Sequence, residues 1–183
     1  FFGHPLLACP IAIEAGPSLL DAGSSFAPVG LSTFRGSFGG FAGTITVGDT
    51  GIAAIDGSID VSSVSVPEEQ LIGHLLSPDF FDAENHPRGT FVSTAVNKVD
   101  GENYEVVGDL TLRGVTNQVT LKVAVEGAGI GMDGSSVLSL TADGVVNRND
   151  YGISWGATLD NGAAVVAEKV RLVLTVEAVK AGE

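Results

Sequence analysis

The stretch "YEVVGDLTLRGVTNQVTLKVAVE", Tyr104 to Glu126, decides the fold. Tyr104, Val106, Gly108, Leu110 and Leu112 fall on one face of an extended chain. Glu105, Asp109 and Thr111 fall on the other, with Val107 the exception. Beyond the turn-like "RGVTN", Val119, Leu121, Val123 and Val125 oppose Thr120, Lys122, Ala124 and Glu126. A period of two with one apolar and one polar side is the pattern of strands that are dry on one face and wet on the other.

The alternation recurs toward the C-terminus. In "VRLVLTVEA", Val170, Leu172, Leu174 and Val176 oppose Arg171, Val173, Thr175 and Glu177. Further strands are expected near 37–47, 52–62, 88–98, 136–148 and 163–168. The segments between them, "GDTG", "DGEN", "MDGSS" and "LDNG", have turn composition. Long strands with short turns predict an all-β, up-and-down antiparallel order. Closing the sheet into a barrel of about eight strands removes its exposed edges. A two-layer sandwich is the rival arrangement.

Two segments depart from this pattern. "SVPEEQLIGHLLSPDFFD", near residues 65–82, reads as a short helical insert. Ser65 and Glu68 form a capping-box pattern, Pro67 sits in the first turn, and Leu71, Ile72 and Leu75 form an apolar stripe. Such an insert would plug or cover one end of a barrel. The first 29 residues mix apolar side chains with proline-centred breaks and carry only Glu14 and Asp21 as charges. They are expected to pack on or cap the barrel, as a lid or a strand, with the barrel domain spanning 30–183.

Composition narrows the function. The chain of 183 residues suffices for one sizeable core. Its net charge of −13 repels phosphate backbones and anionic lipid surfaces, so no nucleic-acid partner is expected. No apolar run approaches the roughly 18 residues of a membrane span, so stable membrane insertion is not expected either. With one cysteine, Cys9, no internal disulfide can form. "PLLAC" faintly resembles a lipoprotein cleavage box, without its basic start or longer apolar run. No signal peptide is read in the chain.

"GLSTFRGSFGGFAGTI" (30–45), "HLLSPDFFDAENHPRGTFVST" (74–94), "GDLTLRGVTNQVTLKV" (108–123) and "NRNDYGISW" (147–155) together resemble the YceI-like family. The resemblance implies a lipocalin-like antiparallel barrel that binds polyisoprenoids or other long apolar chains. Members of the family are often periplasmic or secreted. This sequence keeps His74 and Leu75 of the family's helix but lacks the basic residues before them. It has also lost the alternation of the family's opening strand.

A small barrel is filled by side chains or leaves room for a ligand. Phe38, Phe41, Phe91 and Trp155 are the larger candidate walls, with Leu75, Phe80, Phe81, Leu110, Tyr151 and His74 as further ligand-binding candidates. Arg148 is read in two ways: as an anchor for an anionic head group, or as part of a strand corner with Asp150, Asn147 and Asn149. His86, with Asp82 and Glu84 nearby, lacks metal-ligand spacing, and no metal or cofactor is expected. "GSFGGF" lacks the strand-to-helix context and lysine of a phosphate loop.

The function expected is therefore binding of a long apolar small molecule, isoprenoid or fatty-acyl, inside the barrel. The alternative is a cofactor-free intramolecular cyclase that uses the same cavity, with the N-terminal segment as lid. Such an enzyme would be cytoplasmic. A homodimer is left open by the sequence.

Overall fold

A computed structural model of the chain describes residues 7–8, 11–15, 34–132, 134–156 and 167–180. Within them lie strands β1 (Leu7–Ala8), β2 (Ile11–Ala15), β3 (Phe34–Phe38), β4 (Phe41–Gly48), β5 (Gly51–Asp60) and β6 (Val64–Ser65). After one short helix, α1 (Ile72–Leu76), come β7 (Arg88–Asp100), β8 (Asn103–Leu112), β9 (Val115–Ile130), β10 (Ser136–Asn147) and β11 (Lys169–Val179).

The strands form one antiparallel sheet in the order β4-β5-β7-β8-β9-β10-β11-β2-β3-β6, with β1 on β11. Consecutive long strands are neighbours from β7 to β11, the up-and-down order that short turns dictate. The hairpin of β8 and β9 pairs Leu112 with Val115 and runs back to Asn103 opposite Ala124. Only Arg113 and Gly114 separate the strands, both at positive φ, 51° and 72°.

The sheet comes round on itself through a bent corner. β3 continues into β4 across Gly39 and Gly40, and β5 continues into β6 through a 3-10 turn, Val61–Ser63. Gly39 N–H donates to the Ser63 carbonyl at 3.2 Å, and Asp60 N–H to the Gly40 carbonyl at 2.7 Å. The Ser63 hydroxyl accepts the Gly40 N–H at 2.8 Å. The strand order that starts with β4 and β5 thus ends with their continuations, β3 and β6. With each bent pair taken as one strand, the fold is the expected antiparallel barrel, and the two-layer sandwich is set aside.

Burial follows the alternation. Tyr104, Val106 and Leu110 of β8, Leu121 and Val123 of β9, and Leu138, Leu140, Ala142 and Val146 of β10 are buried. One core cluster gathers Ile45, Val106, Val123, Leu140 and Val176; a second gathers Phe80, Leu110, Val146, Tyr151 and Ile153. Each Val, Leu, Ile or Phe side chain among them contributes about 1.5–3 kcal/mol on withdrawal from water.

The structure corrects several expectations. The helix is five residues long, preceded by a 3-10 turn at Glu69–Leu71, and does not begin at Ser65. Val64 and Ser65 are instead in β6, paired with Phe38 and Ser37. Burial of Val64 and Val66 holds this stretch extended, so the capping box of Ser65 and Glu68 never forms. The single strand expected at 37–47 is broken at Gly39–Gly40, and that expected at 52–62 ends at Asp60. Most of the strand expected at 163–168 lies outside the described residues; Ala167 and Glu168 are not in a strand. Within the N-terminal segment, β2 pairs with both β11 and β3, with Ile13 opposite Leu172 on one side and Gly36 on the other. Cys9 and His4 lie outside the described residues.

Candidate functional site

The inward face of a rolled sheet must be filled or left hollow, and here it is hollow. The barrel encloses a cavity of about 200 Å³ lined by residues of both core clusters. A water's share of liquid volume is about 30 Å³, so the cavity takes on the order of seven waters or a chain of comparable bulk. The wall is aliphatic and aromatic. Val119, Leu121 and Val123 of β9 and Leu172, Leu174 and Val176 of β11 line it, with Phe41, Phe91 and Leu110 on other strands.

The sequence candidates divide by position. Phe38, Phe41, Leu75, Phe80, Phe81, Phe91, Leu110, Tyr151 and Arg148 line the cavity. His74 and Trp155 stand behind Phe80. The His74 ring meets Phe80 edge-on at 4.9 Å and Trp155 at 4.8 Å. His74 Nε2 is also 3.8 Å from Asp79 Oδ2. Wall residues that the sequence reading did not single out include Ile45, Ile55, Val64, Val66, Leu140 and Ile153. Leu140 and Ile55 occupy strand positions whose apolar spacing could have revealed them. Val64 and Val66 were hidden inside a stretch read as helix.

One end of the cavity is covered by the α1 insert. Phe81 N–H donates to the Leu75 carbonyl and Phe80 N–H to the Ser77 carbonyl, each at 3.0 Å, which turns both rings inward. Phe81 meets Phe38 edge-on at 5.5 Å. The turn is completed at Asp82, whose φ is 50°, and His86 Nε2 lies 3.9 Å from the Asp82 carboxylate. Arg113 fastens this cover. Its guanidinium donates to the Pro78 carbonyl at 2.6 Å and to the Gly152 carbonyl.

The Asn147–Gly156 stretch is a corner. Arg148–Tyr151 forms a 3-10 turn, and the Asn147 side chain accepts the Asn149 N–H at 3.0 Å. Gly152 ends the turn at φ 71°, the left-handed region that suits glycine. Arg148 is 8% exposed and inserts its guanidinium into the corner. Nε donates to Ala167 O at 2.9 Å, and Nη1 to Ile153 O and Trp155 O, each at 2.6 Å. Burial lowers its pKa and nearby Glu168 opposes that shift. These bonds replace the expected pairing with Asp150 as the feature that shapes the corner: three peptide carbonyls converge on one cation.

Tyr151 packs beside it, 1% exposed. Its Oη is a buried side-chain polar atom without a hydrogen-bond partner. Burial, with the charge of Asp150 second, pushes its pKa up to about 12, so the phenol is neutral over the physiological range. Among the described residues no group of three His, Cys, Asp or Glu side chains is placed to hold a metal ion.

Comparison with known proteins agrees with this geometry. A family model described as a YceI-like domain matches residues 19–178. Protein YceI of Escherichia coli is 34% identical over 154 residues, 83% of this chain and 77% of its own. The Campylobacter jejuni YCEI protein superposes with a TM-score of 0.73 at 23% identity, over 90% of this chain and 95% of its own. A polyisoprenoid binding domain from Saccharophagus degradans superposes with a TM-score of 0.66 at 13% identity, over 97% and 98% of the two chains.

Proposed function

The chain belongs to the YceI-like family, and from that premise we propose that its barrel takes up one long apolar molecule of isoprenoid or fatty-acyl type. The observation that carries this reading is the cavity wall. It is built from aliphatic and aromatic side chains of most strands, closed at one end by Phe80 and Phe81. An apolar chain gains about 25 cal/mol for each Å² it withdraws from water, so long ligands bind there with few polar contacts. The polyisoprenoid-binding neighbour has the same architecture, which supports the same use of the interior.

Arg148 serves as the fastener of the corner in this reading, because its donors are directed at backbone carbonyls. The cyclase alternative has no supporting observation. Its lid was the N-terminal segment, of which Ile11–Ala15 is a strand in the sheet and most of the remainder lies outside the described residues.

The test is an unbiased mass-spectrometric search of protein purified without detergent. A single class of lipid-sized mass, retained near one per chain and released by organic solvent, is the expected result. Absence of any such mass, together with failure to bind isoprenoid and acyl probes at micromolar concentration, contradicts the proposal.

A further inference from the structure

A barrel of about eight strands has an interior that side chains can just fill, so a hollow one needs a cause. The alternation supplies it by placing three glycines on the inward face. Gly57 of β5 stands between the wall residues Ile55 and Ile59, Gly108 of β8 between Val106 and Leu110, and Gly144 of β10 between Ala142 and Val146. Glycine weakens a strand interior and often marks a close approach. Here a large side chain of the neighbouring strand makes that approach. A Cβ built at Gly57 would lie 3.1 Å from Phe41 Cε2, one at Gly108 2.6 Å from Phe91 Cε2, and one at Gly144 2.5 Å from Leu121 Cδ2.

The three pairs share one geometry. Phe41 of β4 leans onto β5, Phe91 of β7 onto β8, and Leu121 of β9 onto β10, the same way round the sheet each time. The far end of each side chain occupies the place of the missing Cβ, so the side chain lies along the wall instead of standing toward the axis. All three line the cavity. We propose that Gly57, Gly108 and Gly144 set the bore of the barrel: as seats for Phe41, Phe91 and Leu121 they keep the lumen wide enough for a chain that carries methyl branches. A methyl group placed on a seat would lift its occupant toward the hollow. A branched chain has a larger cross-section than a straight one, so narrowing excludes branches first.

This inference rests on the cavity reading and is tested separately from it. Gly108→Ala would also meet the Val92 carbonyl oxygen at 2.7 Å, so the other two seats are used. At Gly144 the nearest backbone atom to the added Cβ is the Thr120 oxygen at 3.3 Å, and at Gly57 it is the Ala42 oxygen at 3.8 Å. The intact protein and Gly144→Ala are titrated with phytol and with hexadecanol, which has the same backbone without the branches. The intact protein is expected to bind phytol about tenfold more tightly, because the branches bury additional apolar surface. In Gly144→Ala that preference falls to within about twofold. Adding Leu121→Val removes the clashing carbon and restores it, an outcome that a general loss of stability would not give. A thermal melt checks folding, and if Gly144→Ala does not melt cooperatively the comparison is read on Gly57→Ala with Phe41→Leu as its second site. No preference for phytol in the intact protein, a preference that survives the seat substitution, or a loss that the second site does not reverse each overturns the role of the glycines while the cavity reading stands. Failure of the intact protein to bind either alcohol overturns both.

Discussion

Arg113, at the tip of the β8–β9 hairpin, donates from Nη2 to the carbonyl oxygen of Pro78 in the α1 insert at 2.6 Å. The same guanidinium reaches the carbonyl of Gly152, so one side chain joins the barrel rim, the cover carrying Phe80 and Phe81, and the Arg148 corner. The α1 helix itself adds little packing, because it is five residues long and its residues are only partly buried. Its position therefore depends on such ties.

Arg113→Ala is expected to loosen the cover while leaving the strands in place. A bound apolar probe should dissociate about three- to tenfold faster, the equivalent of roughly 1 kcal/mol. Stopped-flow displacement measures this, and an unchanged dissociation rate would show that the cover is held by its apolar contacts alone.

Gly108 and Phe91 are packed with no room between them. A Cβ added at Gly108 would lie 2.4 Å from Phe91 Cζ and 2.7 Å from the Val92 carbonyl oxygen. The ring can swing toward the cavity but the backbone oxygen cannot. Gly108→Ala is expected to destabilise the protein by about 1–3 kcal/mol, read as a lower urea midpoint. Adding Phe91→Leu should recover part of the loss and not all of it.

Arg148 distinguishes a fastener from a head-group anchor. Arg148→Met leaves three carbonyls at Ala167, Ile153 and Trp155 without their donor. A loss of about 3 kcal/mol or more in unfolding free energy is expected. If the side chain were mainly an anchor, the variant would melt like the parent and lose only affinity for anionic lipids.

Much of this was legible before the coordinates. The alternation from Tyr104 to Glu126 marks the hairpin and its buried face, and Leu110, Leu121 and Val123 follow from it. Phe38, Phe41 and Phe91 were legible as walls by their bulk; in one unbroken strand Phe38 and Phe41 would face opposite sides, and the break at Gly39–Gly40 brings both inward. The Ser65–Glu68 pattern misled because capping is a local signal, whereas the burial of Val64 and Val66 is a tertiary one. β2 was not read as a strand because its partners, β3 and β11, are distant in sequence and its own run is five residues. The carbonyl cluster around Arg148 depends on where Ile153, Trp155 and Ala167 are folded. The unpartnered state of Tyr151 Oη depends on its surroundings, and no sequence pattern encodes either.

Tyr151 also makes a pH prediction. Its pKa is about 12 in the folded chain against 10.0 for the ordinary phenol. A raised folded-state value means the contribution is complete below pH 10 and is lost as pH rises through the folded value. The loss, about 1–2 kcal/mol after allowance for solvent screening, falls between about pH 10 and 12. Urea midpoints taken across that window should decline more steeply for the parent than for Tyr151→Phe. Parallel curves would mean that the phenol is not shifted.

The central claim is that the hollow of the barrel is where an apolar ligand resides. The most direct measurement compares calorimetric titration of geranylgeraniol into the parent and into Ala142→Phe. Ala142 is 5% exposed and lines the cavity, so the larger side chain takes up ligand space. Saturable binding near one per chain in the parent, weakened at least about tenfold in a variant that still melts cooperatively, is the predicted result. Equal binding by both proteins, or no binding by the parent, would contradict it.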